Sequence, residues 1–312
     1  MYNVYKTYGT MHIPVLLDKV VEFLSPRPGQ KFIDATIDGG GHALAILEQI
    51  APGGKLLGIE WDGELLKQLR LKIQSSKFKN DVVLVNDSYT NLKEIATASN
   101  FEGADGIIFD LGMSSWHLEE AERGFSFAKD EPLDMRYNTQ FPNKTASEIV
   151  NEYSYEKLTK ILKEYGEERF AKSIAEAIVK ARKEKPIRTT FQLVEIIKSS
   201  TPFWYRRRRI HFATRTFQAL RIAVNRELEN IKSGLEQAEQ ILGNGGHLAV
   251  VSFHSLEDRI VKNFFREMAR AGRLKILTKK PIRADLAETT ENPRARSAKL
   301  RVAEKLSSAF RC

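Results

Sequence analysis

The stretch "FIDATIDGGGHALAIL", residues 32–47, sets two aspartates, Asp34 and Asp38, around three glycines and His42. Glycines after a strand let backbone approach a ligand, and the helix that follows offers its free N–H groups. A dinucleotide turn needs G-x-G-x-x-G, whose last glycine lets the helix pack on the strand. Here Leu44 stands three places after Gly41, and His42 three after Gly39, so that fingerprint fails. Two carboxylates beside the turn repel a pyrophosphate. They suit a zwitterionic ligand, whose ammonium group needs a carboxylate or carbonyls. Three further polar tips follow. Glu60 in "GIEWD" comes 19 residues after Gly41, where a carboxylate can accept both hydroxyls of a ribose. Tyr89 in "NDSY" offers a ring to an adenine face, and Asp110 ends "GIIFDLG". The ordered set describes one crevice, and the ligand it fits is S-adenosylmethionine. An NAD-dependent dehydrogenase is the rival enzyme, disfavoured by the missing glycine and the acidic turn.

A second group of residues follows in the last third of the chain. The "SFHS" turn carries Ser252, His254 and Ser255. A histidine there can act as a base with an ordinary pKa of about 6.5, or simply bond backbone at a helix start. Ser255, with Asp258 three residues on, fits a helix N-cap. Asp134 in "PLDMR" can enter a pocket or pair with Arg136. "YRRRRIHFATRTF" sets Arg206, Arg207, Arg208 and Arg209 beside Trp204, Tyr205 and Phe212. Guanidinium forks suit phosphates, and flat rings stack on unpaired bases. "NPRARSAKLR" adds Arg294, Arg296, Lys299 and Arg301. No metal site is expected.

These residues must be positioned by regular elements. From 31 to 111, short apolar runs alternate with amphipathic ones: "KFIDAT", "HALAILEQI", "KLLGIE", "GELLKQLRLKI", "VVLVN", "YTNLKEIATA" and "GIIFDLG". Such βα units give a parallel sheet with right-handed crossovers. From 112 to 213 the pattern is helical instead, with "TASEIVNEY", "YEKLTKILKEY", "RFAKSIAEAIVKAR" and "TTFQLVEIIKSS". We therefore expect a discontinuous core, 1–111 and 214–312, and an inserted helical domain at 112–213. The return reads as one long helix, "FQALRIAVNRELENIKSGLEQAEQILGNGG", closed by Asn-Gly-Gly. A fifth strand "HLAVVSF", a helix "SLEDRIVKNFFREMAR" and two last strands, "LKILT" and "LRVAEKL", complete the chain.

The bulk properties agree with a globular protein. The 312 residues are 42% hydrophobic and 29% charged, enough for a real core. No apolar run reaches the roughly 18 residues of a membrane helix, and no signal peptide is visible. The single cysteine, Cys312, cannot form an internal disulfide, so a reducing, cytoplasmic setting is expected. The net charge of +9 is uneven: residues 201–312 carry 23 Lys/Arg against 11 Asp/Glu. A basic third on a near-neutral body points to a polyanionic partner.

With "HIPVLL", "DGGGHA", "DLGMSS", "ERGFSF", "PLDMR", "EYGEERFA", "ATRTFQALRIAVN", "VVSFHSLEDRIVK" and "NPRARSAKLR", the chain resembles the MraW/RsmH family of bacterial 16S ribosomal RNA cytosine-N4 methyltransferases. The resemblance runs from about residue 11 to 306. It implies a Rossmann-like α/β methyltransferase sheet with an inserted helical RNA-recognition domain. It implies S-adenosylmethionine as methyl donor and a decoding-centre cytosine of 16S rRNA, in the small ribosomal subunit, as target. Its cofactor contacts fall on Gly40, Gly41, His42, Glu60, Tyr89, Asp110 and His117. The chain departs from the family at Glu60, where aspartate is common, at Trp116-His117, and at Asp38, where glycine is frequent. A noncatalytic RNA-binding ribosome-assembly factor is the alternative outside enzymology, and monomer and dimer both remain open.

Methylating an amino nitrogen needs in-line placement of nitrogen, methyl and sulfur. An acceptor must hydrogen-bond the amino protons while the lone pair attacks. Asp110 is the first candidate for that role. The "SFHS" turn comes second, through Ser252, His254 or Ser255.

Overall fold

The computed structural model describes residues 14–307; Cys312 lies outside the described residues. The chain forms two compact units, one running to Ser114 and resuming at Leu228, the other Ser115–Glu227. Among the described residues, no helix is long and apolar enough to cross a membrane.

The first unit begins α1 (Leu17–Leu24), β1 (Lys31–Asp34), α2 (Gly41–Ile50), β2 (Lys55–Glu60), α3 (Gly63–Gln74), β3 (Val82–Asn86), α4 (Leu92–Ala98) and β4 (Ala104–Asp110). The helical unit follows, with α5 (Ser115–Glu119), α6 (Ala146–Glu152), α7 (Tyr155–Glu164), α8 (Ala171–Glu184), α9 (Thr190–Ser200), α10 (Phe203–Arg206) and α11 (Thr214–Asn225). The first unit then resumes in α12 (Glu227–Ile241), β5 (Leu242–Ser252), α13 (Ser255–Arg270), β6 (Leu274–Ile276), α14 (Leu286–Glu291) and β7 (Lys299–Lys305).

The strands form one seven-stranded sheet in the order β3-β2-β1-β4-β5-β7-β6. The ladders from β3 to β5 are parallel, and β7 runs antiparallel to both of its neighbours. This is the Rossmann-like α/β sheet expected. Side chains alternate across it. Phe32, Leu56, Ile108 and Val251 bury on one face; Ile33, Leu57, Phe109 and Val250 bury on the other. Each such side chain contributes roughly 1.5–3 kcal/mol by leaving water. From β1 the chain moves outward to β3, then returns to β4 on the other side of β1. At such a reversal the crossovers diverge, and the carboxyl ends of the strands border a crevice. Asp34, Glu60 and Asp110 are the last residues of β1, β2 and β4.

The helical unit buries Ile149, Leu158, Leu162, Ile174, Ile178, Leu193, Ile197 and Leu220. Its helices start where side chains satisfy free N–H groups: Thr145 with Glu148 and Thr189 with Gln192 form capping boxes.

Four expectations need correction. The single long helix after residue 217 is two helices, because Arg226 is left-handed at φ 53° and ends α11. Buried Asn225 anchors that break, donating to Met135 O at 2.7 Å and accepting from Tyr137 N at 2.9 Å. The helical unit accordingly ends at Glu227, not at 213, and starts at Ser115, not at 112. Asn-Gly-Gly does not close a helix but belongs to β5, which starts at Leu242. A Cβ at Gly243 or Gly246 would lie 2.7 Å or 2.9 Å from β4-side carbonyls, so only glycine passes there. Finally, the cap of α13 is His254, not Ser255.

Candidate functional site

The glycine turn is built on the ends of its neighbouring strands. Ala35 N donates to Ile108 O at 2.9 Å and Ile37 N to Ile59 O at 3.0 Å. Gly40 then turns left-handed at φ 81°, where a Cβ would also meet Leu69 Cδ1 at 2.8 Å. At Gly41 a Cβ would lie 2.9 Å from Pro14 Cγ, whereas at Gly39 it would meet nothing within 4 Å. The turn is thus packed on one side and open on the other.

Glu60 ties this turn to the next loop. Its Oε2 accepts from Asp38 N at 3.0 Å and its Oε1 from Asp62 N at 2.8 Å. Asp62, itself buried, caps α3 by accepting from Glu64 N and Leu65 N. Asp34 accepts from Thr36 N at 3.2 Å, and Thr36 Oγ1 accepts from Asp110 N at 2.6 Å. Asp110 Oδ1 receives only a long bond, 3.4 Å, from Gly112 N.

Burial dominates the electrostatics here. It pushes Asp34 up to about 8, and the carboxylates of Asp110 and Glu60 push the same way. Burial also lifts Glu60 to about 7, and Asp110 to about 7 with Glu257 adding to it. Asp38 is driven well above the usual carboxylate range by burial and its acidic neighbours. Among the described residues, no lysine or arginine pairs with Asp34, Asp38, Glu60 or Asp110.

His42 supplies no cation either. Its Nε2 donates to Val15 O at 3.0 Å, its Nδ1 stands 3.6 Å from Asp110 Oδ2, and burial lowers its pKa to about 4. Buried carboxylates without a counterion call for a cationic ligand. Glu60 keeps lone pairs for ribose hydroxyls beside its two backbone bonds. A sulfonium and an ammonium group fit this donor set, whereas a pyrophosphate does not.

The other candidates fall differently. Tyr89 follows β3 in a short 3₁₀ turn, its ring edge-on to Phe109 at 5.5 Å and against Gly234, so only part of it remains available to a ligand. Ser252 is buried, and its hydroxyl donates weakly to Lys299 O at 3.4 Å, toward β7. His254 folds over the start of α13: its Nδ1 accepts from Glu257 N at 3.4 Å. Its Nε2 stands 3.0 Å from Glu257 Oε1, too poorly aligned for a hydrogen bond. Of the two readings of that histidine, helix start or base, the geometry matches the helix start.

His117 belongs to the helical unit, where it is buried among Trp116, Phe125 and Tyr137 at ring distances of 4.9–5.3 Å. Asp134 pairs there with Arg136 through two bonds of 2.7 and 2.8 Å. Arg206 ends α10, and Arg207, Arg208 and Arg209 follow it, exposed. In the sheet unit, Arg294 is half-buried and Arg296 exposed on a 3₁₀ turn. Lys299 and Arg301 of the same basic string share the carboxylate of Asp258, at 3.2 and 2.7 Å.

Sequence reasoning missed Thr36, Asp62 and Glu257. Asp62 had a signal, an aspartate just before "GELL". Glu257 had none, because a charged residue that is 1% exposed contradicts its type.

Comparison with known proteins adds to this geometry. The MraW methylase family matches residues 9–306. The Ribosomal RNA small subunit methyltransferase H of Geobacter sulfurreducens is 47% identical over 95% of this chain and 99% of its own length. The protein of that name from Persephonella marina is also 47% identical, over 95% of this chain and 99% of its own. Among solved structures, an SAM-dependent O-methyltransferase from Thermotoga maritima aligns with a TM-score of 0.44 and 8% identity, over 97% of this chain and 70% of that one.

Proposed function

Because the chain belongs to the MraW methylase family, we propose that it methylates small-subunit ribosomal RNA from S-adenosylmethionine, at the N4 amino group of a decoding-centre cytosine. The observation that carries this reading is the crevice of buried, unpaired carboxylates at the ends of β1, β2 and β4. It disfavours a pyrophosphate cofactor and suits a ligand bearing positive charge.

The cofactor supplies an electrophilic methyl group on a sulfonium. The chain's residues do the rest. Glu60 accepts the ribose hydroxyls, Gly39 leaves room, and Asp34 and Asp38 face the positive charge. Asp110, at the centre of the sheet, accepts from an N4 proton and holds the lone pair in line. When bound, the cofactor would give its methyl to N4 and keep the electron pair of the broken bond on sulfur, with Glu60, Asp34 and Asp38 holding it in place. One proton then leaves N4, and Asp110 with its pKa near 7 can take it before passing it to water. Ser252 and His254 have no part in this scheme, because both side chains are engaged at the β5–α13 turn. A buried target base must leave its stack to reach the donor.

The test is methyl transfer from labelled S-adenosylmethionine to small ribosomal subunits and to naked 16S rRNA, followed by nucleoside analysis. N4-methylcytidine at a single site is expected. A label on another base, or calorimetric binding of NAD and not of S-adenosylmethionine, overturns the reading. Binding to RNA without any transfer would favour the noncatalytic assembly factor.

A further inference from the structure

The four-arginine run does not act as one uniform patch. Arg206 and Arg207 lie over the ring of Phe203, at 5.5 and 4.3 Å. Arg208 lies over Trp204 at 5.4 Å, and Arg169 joins it from the other side of the sequence at 5.3 Å. Arg208 and Arg209 also turn to a separate cavity of about 260 Å³, lined by Tyr205, Ile210, His211 and Arg215 as well. Three of its six lining residues are arginines, and none is acidic.

The cavity wall is held in place. Tyr205 Oη donates to Glu168 Oε2 at 2.8 Å, which fixes the ring and engages that carboxylate. Arg215 Nη1 donates to Glu167 O at 2.6 Å and leaves its other donors free of that contact. His211 stacks on Phe127 at 4.5 Å, while its Nδ1 accepts from Ala213 N at 3.3 Å. The Nε2 of that ring therefore carries its proton and is a donor. Arg209 has no hydrogen-bond or ion-pair partner among the described residues. Convergent guanidinium groups with unused donors, around a space without carboxylates, bind an oxyanion.

What lies next to the cavity decides which oxyanion. Phe203 is 60% exposed and Trp204 48% exposed. Large exposed rings held by stacked guanidiniums serve unpaired bases, whose faces are open. An isolated phosphate ion has no use for them.

We propose that Arg208, Arg209, His211 and Arg215 seat one backbone phosphate of an unpaired RNA strand, with an adjacent base on the Phe203–Trp204 surface. This rests on the RNA-methylating reading above and adds to it a strand-anchoring subsite in the helical unit. The anchor reads the backbone, so it confers no sequence preference of its own.

The experiment uses the full chain, a short labelled unpaired RNA, and fluorescence anisotropy across a range of salt. For single strands, each phosphate contact contributes about 0.7 to the slope of log affinity against log salt. The combined Arg208→Gln, Arg209→Gln variant is expected to lower the slope by most of that amount, the share of one phosphate, and each single variant by less. Trp204→Ala should weaken binding about fivefold or more and leave the slope unchanged, since stacking releases no counterions. Duplex RNA should compete poorly, and inorganic phosphate should compete only at high concentration. An unchanged slope in the combined Arg208→Gln, Arg209→Gln variant overturns the subsite, as does duplex RNA competing as well as the unpaired strand. Tight binding of inorganic phosphate with RNA affinity unaffected makes the cavity a free-anion site and also overturns it. A chain that still methylates rRNA under any of these outcomes keeps its proposed function; a chain that binds no RNA loses both.

Discussion

Replacing Glu60 with glutamine tests the cofactor crevice most directly. In the parent, both carboxylate oxygens accept backbone N–H groups, from Asp38 at 3.0 Å and Asp62 at 2.8 Å. Glutamine keeps one oxygen and puts an NH₂ in place of the other. Whichever way the amide turns, one backbone donor then faces a donor. A buried donor left unsatisfied costs about 1–3 kcal/mol, and a hydrogen bond to a charged acceptor is worth about 1.5–3 kcal/mol against about 1 for a neutral one. The empty protein can relieve the clash by moving the Asp38 turn, so the cost reappears when the ligand requires that turn in place. Cofactor affinity should fall by about 2–3 kcal/mol, roughly 30- to 150-fold. Isothermal titration with S-adenosylmethionine measures it, with circular dichroism and melting to show that the variant folds. A dissociation constant within about threefold of the parent, in a variant that melts normally, refutes both the ribose assignment and the tie through Asp38.

Other outcomes follow from the same geometry. The pKa of Asp34 at about 8, and of Glu60 and Asp110 at about 7, lie above free carboxylate values. The folded, ligand-free chain therefore binds more protons than the unfolded one, and its stability should fall as pH rises from about 5 to 8. A cationic ligand favours the ionised forms, so affinity for S-adenosylmethionine should rise over that interval and level off above it. Melting curves at pH 6 and pH 8, with and without cofactor, check both signs, and the reverse order contradicts the assignment. Asp110→Asn should lower single-turnover methyl transfer by about 100-fold or more while leaving RNA affinity in place; transfer at the parent rate removes Asp110 from the chemistry. His254→Ala should cost about 1 kcal/mol through the lost cap, and His254→Asn, which still caps, much less. If His254→Asn instead abolishes transfer in a stable protein, the histidine is the base after all. Asn225→Leu strips partners from Met135 O and Tyr137 N and should destabilise the helical unit by about 2–4 kcal/mol in urea unfolding; a neutral result would show that the α11 break does not need it.

Much of the sheet was legible because parallel strands are short apolar runs and their crossover helices carry a clear 3.6-residue period. Phe32, Leu56 and Ile108, alternating with Ile33, Leu57 and Phe109, are a pattern that any reader of hydrophobicity can find. The polar strand ends were legible for the same reason, as Asp34, Glu60 and Asp110 each interrupt an apolar run. The break at Arg226 was not. Arginine carries no signal for a left-handed backbone, and "RIAVNRELENI" keeps helical periodicity straight through it. The bend depends on Asn225 reaching Met135 and Tyr137, and a contact that distant leaves no local trace. Capping by His254 was hidden likewise, since serine is the commoner cap and stands next to it. The strand use of Gly243 and Gly246 depends on carbonyls of a neighbouring segment, while glycine after a helix ordinarily reads as a stop. The basic C-terminal string was overcounted, because Asp258 reaches Lys299 and Arg301 only once α13 packs beside β7.

The segment Pro14–Leu16 is wired into the cofactor turn. Pro14 fills the space beside Gly41, Val15 O accepts a hydrogen bond from His42 Nε2, and Leu16 N donates to Glu288 Oε1 at 2.6 Å. Detaching these residues would uncover His42 and Gly41 together, so the segment and the turn are expected to open as one unit. Amide hydrogen exchange at Leu16 thus reports on the glycine turn from outside it. Slowing of that single amide on addition of cofactor would register a ligand bound at the glycine turn.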